Sequence, residues 1–195
     1  MSLRYALLAL LSVEPMTGYD LSKRFESSVG HVWHAPDSQI YPELRRMEKD
    51  SLLAGEEVPW GPRATKTRYR ITAAGTAAFR EWMNTPLEYS RERDPVHLKA
   101  AYLEWASPES ARAQMRAHIA YHELRREQWE NMIAELRSGT NIMLAKRLEV
   151  TPEEDRDRTV QFKIFTYEGL VARAATEIDW ARRGLELIDL LDGGT

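Results

Sequence analysis

The sequence predicts a mainly α-helical protein built from two modules, and three observations indicate this. Apolar residues recur at spacings of three and four along most of the chain, which is the period of an amphipathic helix. Residues 66–71 instead alternate with a period of two, as in a β-strand. The net charge is +1 over residues 1–85 and −4 over residues 86–195. We therefore expect a first domain at 1–85, a connector at 86–95 and a helical domain at 96–195.

The composition excludes several classes of protein. The chain has 195 residues, of which 43% are hydrophobic and 29% charged, and the absence of cysteine excludes a disulfide scaffold, a thiol nucleophile and a cysteine zinc site. The longest apolar run, at residues 6–13, is too short to cross a bilayer, so we expect a cytoplasmic protein with no membrane partner. The formal net charge is −3, so binding to nucleic acid would require a local basic patch.

Two short helices are predicted before residue 30. Ser2 can cap the first helix, whose leucines recur at spacings of three and four on one face until residues 14–15 end it. The second helix follows Thr17 and covers about residues 19–28, with Gly30 as its stop. Both helices have one apolar face, so we expect them to pack together.

The third predicted helix has an exposed polar face. Pro42 has no N–H group to donate within a helix, so the regular helix begins near Ser38, with Pro42 in or just after its first turn. Ile40, Leu44 and Met47 recur at spacings of four and three and should face the core. The remaining positions carry groups that can contact phosphates and base edges: Ser38, Gln39, Tyr41, Arg45 and Lys49.

The stretch with a period of two predicts a strand with one basic side. That side carries Lys66, Arg68 and Arg70. Residues 53–58 are the expected antiparallel partner, and residues 59–63 between them contain turn formers. Thr72 can then cap a fourth helix. The basic side suits contact with phosphates, but lysine and arginine also protect an edge strand from aggregation.

Three helices followed by a two-stranded basic hairpin form the winged variant of the helix-turn-helix. In that fold the third helix enters the major groove and the hairpin contacts the backbone of the duplex. Gln39 can pair with adenine, and Arg45 can bind guanine or phosphate. The start of the second helix offers backbone N–H groups to phosphate, although a simple turn explains it equally well. The predicted DNA-binding residues are Thr17, Gly18, Tyr19, Ser38, Gln39, Tyr41, Arg45, Lys49, Arg63, Lys66, Arg68 and Arg70.

Three motifs in this region resemble the PadR family of transcriptional regulators. They are Thr17-Gly18-Tyr19-Asp20-Leu21, then Ser38-Gln39-Ile40-Tyr41-Pro42-Glu43-Leu44 with Arg46, Met47 and Glu48, and finally Tyr69-Arg70-Ile71-Thr72 with Gly75. The resemblance implies a dimeric winged-helix repressor, or sometimes an activator, that is often relieved by a small ligand. It also implies a larger helical domain after the winged helix, as in the longer members. Ser51 stands where the family usually has glycine at the end of the recognition helix.

Long helices dominate the second module. We expect a short helix at 96–105, a helix capped by Ser107 that runs to about Leu136, and a third that opens with a capping box at residues 151–154. The last helix has a seam with spacings of four and three over four heptads, which normally packs against another long helix. A hairpin within one chain would cover this seam, but a lateral leucine stripe favours a second chain. The predicted dimerisation residues are Val160, Ile164, Tyr167, Val171, Ala174, Ile178, Ala181, Leu185 and Ile188.

Several aromatic and histidine residues are candidates for ligand binding. Five aromatic side chains can line a pocket for a flat aromatic effector or can simply belong to the core: Tyr102, Trp105, Tyr121, Trp129 and Trp180. His118 and His122 have the i, i+4 spacing of a metal clip, and His31 and His34 are also close in sequence. Neither pair has an obvious third ligand, so the sequence predicts no metal and no cofactor.

The sequence therefore favours a sequence-specific DNA-binding transcriptional regulator. We expect a repressor that binds an inverted-repeat operator in double-stranded DNA as a homodimer, with a small aromatic effector as a further partner. A winged-helix adaptor that binds protein through the same surface is the alternative. An enzyme is not predicted, because no motif couples a nucleophile, a base and an orienting group.

Overall fold

The computed structural model describes residues 2–26, 32, 35–61, 63–89 and 93–193. The chain divides into two compact units, Met1–Tyr89 and Ser90–Thr195. Both are rich in helix, and a small antiparallel sheet lies in the first, so the predicted fold class is confirmed. None of the helices in these described ranges combines the length and apolar character needed to cross a bilayer.

The first unit contains four helices and three strands. In chain order they are α1 (Ser2–Leu11), β1 (Met16–Thr17), α2 (Gly18–Arg24), α3 (Asp37–Lys49), β2 (Leu53–Trp60), β3 (Ala64–Ile71) and α4 (Ala73–Asn84). The Ser2 side chain, the predicted stop at Gly30 and the pair His31 and His34 lie outside the described residues. Helix α3 begins one residue before the predicted start and contains Pro42.

The sheet has the strand order β1-β3-β2 and is antiparallel throughout. Strands β2 and β3 form the predicted hairpin, with Leu53 opposite Ile71 and Trp60 opposite Ala64. Strand β1 pairs Met16 with Tyr69 and was not predicted, because two residues are too short to show a period of two. The basic strand β3 is therefore the central strand, although β1 covers it only at Arg68 and Tyr69, so protection of a sheet edge does not explain the charge of Arg68.

The apolar faces of α1, α2 and α3 meet in one core. Its largest fully buried side chains are Leu7, Leu8, Leu21, Phe25, Ile40, Leu44 and Met47. Strand β3 adds Tyr69 to this core, and α4 adds the partly buried Phe79. Trp82 of α4 stacks on Tyr5 of α1, with ring centroids 4.6 Å apart. The packing fixes the polar side of α3 outward.

Helix α3 ends in a Schellman motif that requires a left-handed residue. Ser51 has a φ of 59°, and its N–H donates to the carbonyl of Glu48. The N–H of Leu52 donates to the carbonyl of Met47, which completes the motif. Glycine adopts this conformation without the steric cost that a Cβ brings. Ser51 thus ends α3 at the position where the PadR resemblance predicts glycine.

We expect Ser51→Gly to raise the free energy of unfolding by about 1 kcal/mol, because it removes a Cβ from the left-handed region. Urea unfolding of the full chain measures the change. Ser51→Ala keeps a Cβ at the same φ and should stay within about 0.5 kcal/mol of the wild type. If both variants gained the same stability, the gain would not come from relief of backbone strain at residue 51.

The second unit is built on two long helices. Its elements are α5 (Pro95–Ala100), a 3₁₀ turn (Leu103–Trp105), α6 (Pro108–Ser138), α7 (Ile142–Glu149) and α8 (Glu153–Asp192). Ser107 caps α6 as predicted, by accepting a hydrogen bond from the N–H of Ser110. Gly139, with a φ of 73°, follows the end of the helix.

Three sequence predictions for this unit are corrected. The helix expected at 96–105 is split into α5 and the 3₁₀ turn, and α7 was not predicted. The capping box at residues 151–154 does not form, because the Thr151 hydroxyl donates to the carbonyl of Arg147 at 2.7 Å. Pro152 is the N-cap of α8 without a side-chain hydrogen bond. The Thr151 hydroxyl therefore bonds to the end of α7 and not to the start of α8.

Helices α6 and α8 pack against each other as an antiparallel hairpin. The nine seam residues of α8 are all buried or half-buried within this one chain, and Ile178 is 1% exposed. Trp129, Ile133 and Leu136 of α6 share a core cluster with the first half of the seam. The structure thus places α6 where the sequence analysis expected a partner chain. The large apolar side chains that α8 leaves exposed are Phe162, Phe165, Leu187, Leu190 and Leu191.

Candidate functional site

The outer side of α3 is a polar surface. We call it the α3 face and define it by Ser38, Gln39, Arg45 and Lys49, all of which are exposed. Within the described residues the guanidinium of Arg45 makes no ion pair, whereas that of its neighbour Arg46 lies 2.9 Å from a Glu43 carboxylate oxygen. Arg45 is therefore free to bind an acceptor from outside the protein.

Tyr41 lies at the edge of the α3 face, against the start of α2. A Cβ at Gly18 would lie 2.6 Å from Cε1 of Tyr41, so only glycine permits this close approach. Burial raises the pKa of the Tyr41 hydroxyl, which therefore stays protonated at neutral pH and can donate a hydrogen bond. Gly18 of the first motif and Tyr41 of the second are thus packed against each other.

The start of α2 is already capped within the chain. The Thr17 hydroxyl accepts a hydrogen bond from the N–H of Asp20 and donates to a carboxylate oxygen of Asp20 at 2.7 Å. The Asp20 carboxylate places a negative charge at the helix start, where the sequence analysis expected a phosphate. The side chain of Thr17 is consequently less available than predicted.

Tyr19 joins α2 to the hairpin. Its ring is 47% exposed, and the ammonium groups of Lys23 and Lys66 lie 4.7 and 5.0 Å from its centroid. Lys66 also lies 2.7 Å from the ring centroid of Trp60. These cation–π contacts hold two positive charges beside α2. The sequence analysis did not include Lys23 in this surface, although its i, i+4 spacing from Tyr19 indicates that the two side chains can meet.

The hairpin, which we call the wing, is less cationic than predicted. Glu56 of β2 lies directly opposite Arg68, and their side chains are 2.9 Å apart. Arg63 and Arg70 are exposed. The sequence analysis counted charges on β3 alone and so overlooked the acidic residue on its partner strand. Within the described residues Arg63 and Arg70 make no ion pair, so the wing keeps positive charge on both sides of the Arg68–Glu56 pair.

The charges of α3 act on Tyr69 of β3. Burial and the Glu48 carboxylate raise the pKa of the Tyr69 phenol, and the positive charge of Arg45 offsets this in part. The structure therefore brings the α3 face, Tyr19 and the wing together in one unit. Of the twelve residues predicted to bind DNA, Thr17 and Arg68 are occupied by bonds within the chain, and the exposed ones include Gln39, Arg45 and Lys49.

Comparison with known proteins identifies the domain that carries this surface. The model of the transcriptional regulator PadR-like family matches residues 7–81. Residues 7–81 therefore form a PadR-like domain. The resemblance predicted from the three motifs is confirmed, and the PadR-like domain contains the α3 face and almost the whole of α4.

Relatives and solved structures extend the comparison beyond the PadR-like domain. The negative transcriptional regulator PadR of Bacillus subtilis is 30% identical over 111 residues, and this match covers 56% of this chain and 60% of that protein. The crystal structure of B. subtilis PadR with operator DNA has a TM-score of 0.75 at 21% identity and covers 97% of this chain and 100% of its own. The structure with p-coumaric acid has a TM-score of 0.73 at 21% identity, with 97% and 99% coverage. These structures show a shared fold that continues past the PadR-like domain.

The five aromatic residues predicted to bind an effector are not brought into one pocket. Trp129 is buried in the core between α6 and α8, whereas Tyr102, Trp105 and Tyr121 are exposed. Trp180 lines a groove of about 900 Å³ in the second unit. The groove is mainly apolar, and its other lining residues include Leu103, Met115, Gly184, Leu187 and Ile188.

Proposed function

We propose that this chain is a sequence-specific DNA-binding transcriptional regulator that represses its target and binds an inverted-repeat operator as a homodimer. The α3 face carries the proposal, since it presents Gln39 and an Arg45 without an ion pair in the described residues, on the third helix, which a winged helix-turn-helix inserts into the major groove. The relative from B. subtilis is named as a negative transcriptional regulator, which supports repression. We also propose a cytoplasmic location, as the sequence analysis expects.

The proposed contacts divide into two classes. Gln39 and Arg45 read base edges, because their side chains can form bidentate hydrogen bonds in the major groove. The remaining predicted residues contact the backbone: Ser38, Tyr41, Lys49, Arg63, Lys66 and Arg70, with Gly18 and Tyr19 at the start of α2. Thr17 and Arg68 contribute only after they exchange their partners Asp20 and Glu56 for phosphate.

The homodimer is supported by apolar surface on α8 rather than by the seam. Phe162 and Phe165 are 60% and 71% exposed on the side of α8 away from α6, and Leu190 and Leu191 near its end are 74% and 69% exposed. Apolar patches of this kind mark interaction surfaces in monomeric chains. We propose that a second copy covers them, and an operator that is an inverted repeat would have half-sites roughly 34 Å apart.

We further propose that a small aromatic effector releases the protein from DNA. The structure of B. subtilis PadR with p-coumaric acid shows such a compound bound to a protein of this fold. In this chain we place the effector in the apolar groove beside Trp180, whose ring is already stacked on His97, so the ligand would bind mainly to the apolar lining.

A duplex selected from a random-sequence library tests the proposed DNA binding. We expect enrichment of an inverted repeat whose half-site centres are one helical turn apart or a multiple of it. Binding should weaken steeply as the salt concentration rises, because phosphate contacts release counterions, and a scrambled duplex should dissociate first. An adaptor that binds protein would enrich no sequence and would show no difference between the two duplexes.

A further inference from the structure

Two histidines and a glutamate meet between the long helices of the second unit. His118 and His122 lie one turn apart on α6, and Glu177 reaches them from α8. The side chains of His118 and Glu177 are 11% and 20% exposed. The sequence analysis found the histidine pair but no third ligand, because Glu177 lies 59 residues from His118 in the chain.

The distances within this cluster suit a single small cation. Nε2 of His118 lies 3.1 Å from Oε2 of Glu177. One ligand atom from each of the three side chains lies within 4.8 Å of the other two. Two ligand atoms on a tetrahedral zinc ion with bonds of about 2.1 Å are about 3.4 Å apart, and the hydrogen-bonded pair of His118 and Glu177 is close to that separation. A bound ion would replace this hydrogen bond and would require the His122 side chain to move toward the pair.

His122 is the member of the cluster whose bonding the protein does not complete. Its Nδ1 atom is buried and has no hydrogen-bond partner in the described part of the chain. The ring is held by contacts with the rings of His118 and Tyr121, at centroid distances of 4.4 and 5.0 Å. Buried polar atoms normally have a partner, so this nitrogen points to a group from outside the chain.

We propose that His118, His122 and Glu177 bind one divalent transition-metal ion, such as Zn²⁺, that links α6 to α8. Two imidazoles and a carboxylate suit zinc, nickel or copper, whereas calcium and magnesium require mostly oxygen ligands. Arg125 and Arg173 place positive charge near His122, which disfavours a cation, and the Glu177 carboxylate opposes this charge. Three protein ligands leave a fourth position for water.

Zinc binding to the full chain tests this site. We expect calorimetry to show one Zn²⁺ per chain with a micromolar Kd, and Co²⁺ to give the visible absorption of tetrahedral coordination. A hundredfold excess of zinc over Kd should raise the melting temperature by at least about 5 °C, and a chelator should reverse this shift. Absence of saturable zinc binding to the wild type would overturn the proposal.

Variants locate the ion. Glu177→Gln keeps an acceptor for His118 but removes the charged ligand, and His122→Gln removes one imidazole; each should weaken zinc binding by at least about tenfold. The double variant His31→Gln and His34→Gln removes the other histidine pair and should bind zinc as the wild type does. Circular dichroism without metal checks that each variant is folded. Binding that is lost only in the double variant would place the ion elsewhere and refute the site.

Discussion

Arg45→Ala is expected to weaken binding to the selected operator duplex by about 10- to 100-fold, the equivalent of about 1–3 kcal/mol. The Arg45 guanidinium is exposed on the α3 face and makes no ion pair within the described residues, so its hydrogen-bonding capacity is available to a base edge. Fluorescence anisotropy with the selected and scrambled duplexes measures the effect. Preference for the selected sequence should fall together with affinity, because a base contact is lost rather than a phosphate contact.

Arg46→Ala is the matched control for this prediction. Arg46 is the next residue on α3 and is itself exposed, but its guanidinium is held by Glu43. Glu43 keeps a second partner in Arg4, 2.8 Å away, so removal of Arg46 leaves no unpaired carboxylate. We expect less than about a threefold change in affinity. Equal losses in the two variants would show that α3 contributes only general positive charge.

Gly75→Ala is expected to lower the free energy of unfolding by about 1–3 kcal/mol, with a fall in melting temperature of roughly 5–20 °C. A Cβ at Gly75 would lie 2.2 Å from the carbonyl oxygen of Leu52 and 3.0 Å from Cγ1 of Ile71. The start of α4 cannot easily move away, because the Thr72 hydroxyl accepts from the N–H of Gly75 and donates to the carbonyl of Ser51. Thermal and urea unfolding of the full chain measure the loss.

Gly169→Ala provides the same substitution in an open helical position. Apart from its chain neighbours and the backbone of α8 itself, no described atom lies within 4 Å of a Cβ built at Gly169. Alanine is the better helix former, so this variant should gain about 0.5–1 kcal/mol. The two variants therefore differ in sign if close packing decides the outcome at Gly75. A gain in both would mean that helix propensity outweighs the contact with Leu52.

Much of the first unit follows from short-range patterns. The spacings of Ile40, Leu44 and Met47 predict which side of α3 is buried, and the same spacing leaves Gln39 and Arg45 outside. The alternation in residues 66–71 predicts a strand whose charged side faces away from the core. These features are periodic over a turn or a few residues, so the sequence alone reveals them.

Other features depend on contacts between distant parts of the chain. Strand β1 exists only because Met16 pairs with Tyr69, and the charge of Arg68 is offset by Glu56 on the opposite strand. The threonine expected to cap α8 bonds to the end of α7 instead. In each case the partner lies far away in the chain, so no pattern within the stretch itself could reveal it.

The sequence by itself determined the two helical modules, the recognition helix with its exposed polar side and the PadR-like motifs. Only the tertiary structure decided what each buried or polar side contacts. Helix α6 of the same chain covers the seam of α8, and Glu177 of α8 joins two histidines of α6, of which His118 is 59 residues away in the chain. Periodicity shows that a side chain must be buried or paired, whereas the identity of its partner depends on how distant segments pack.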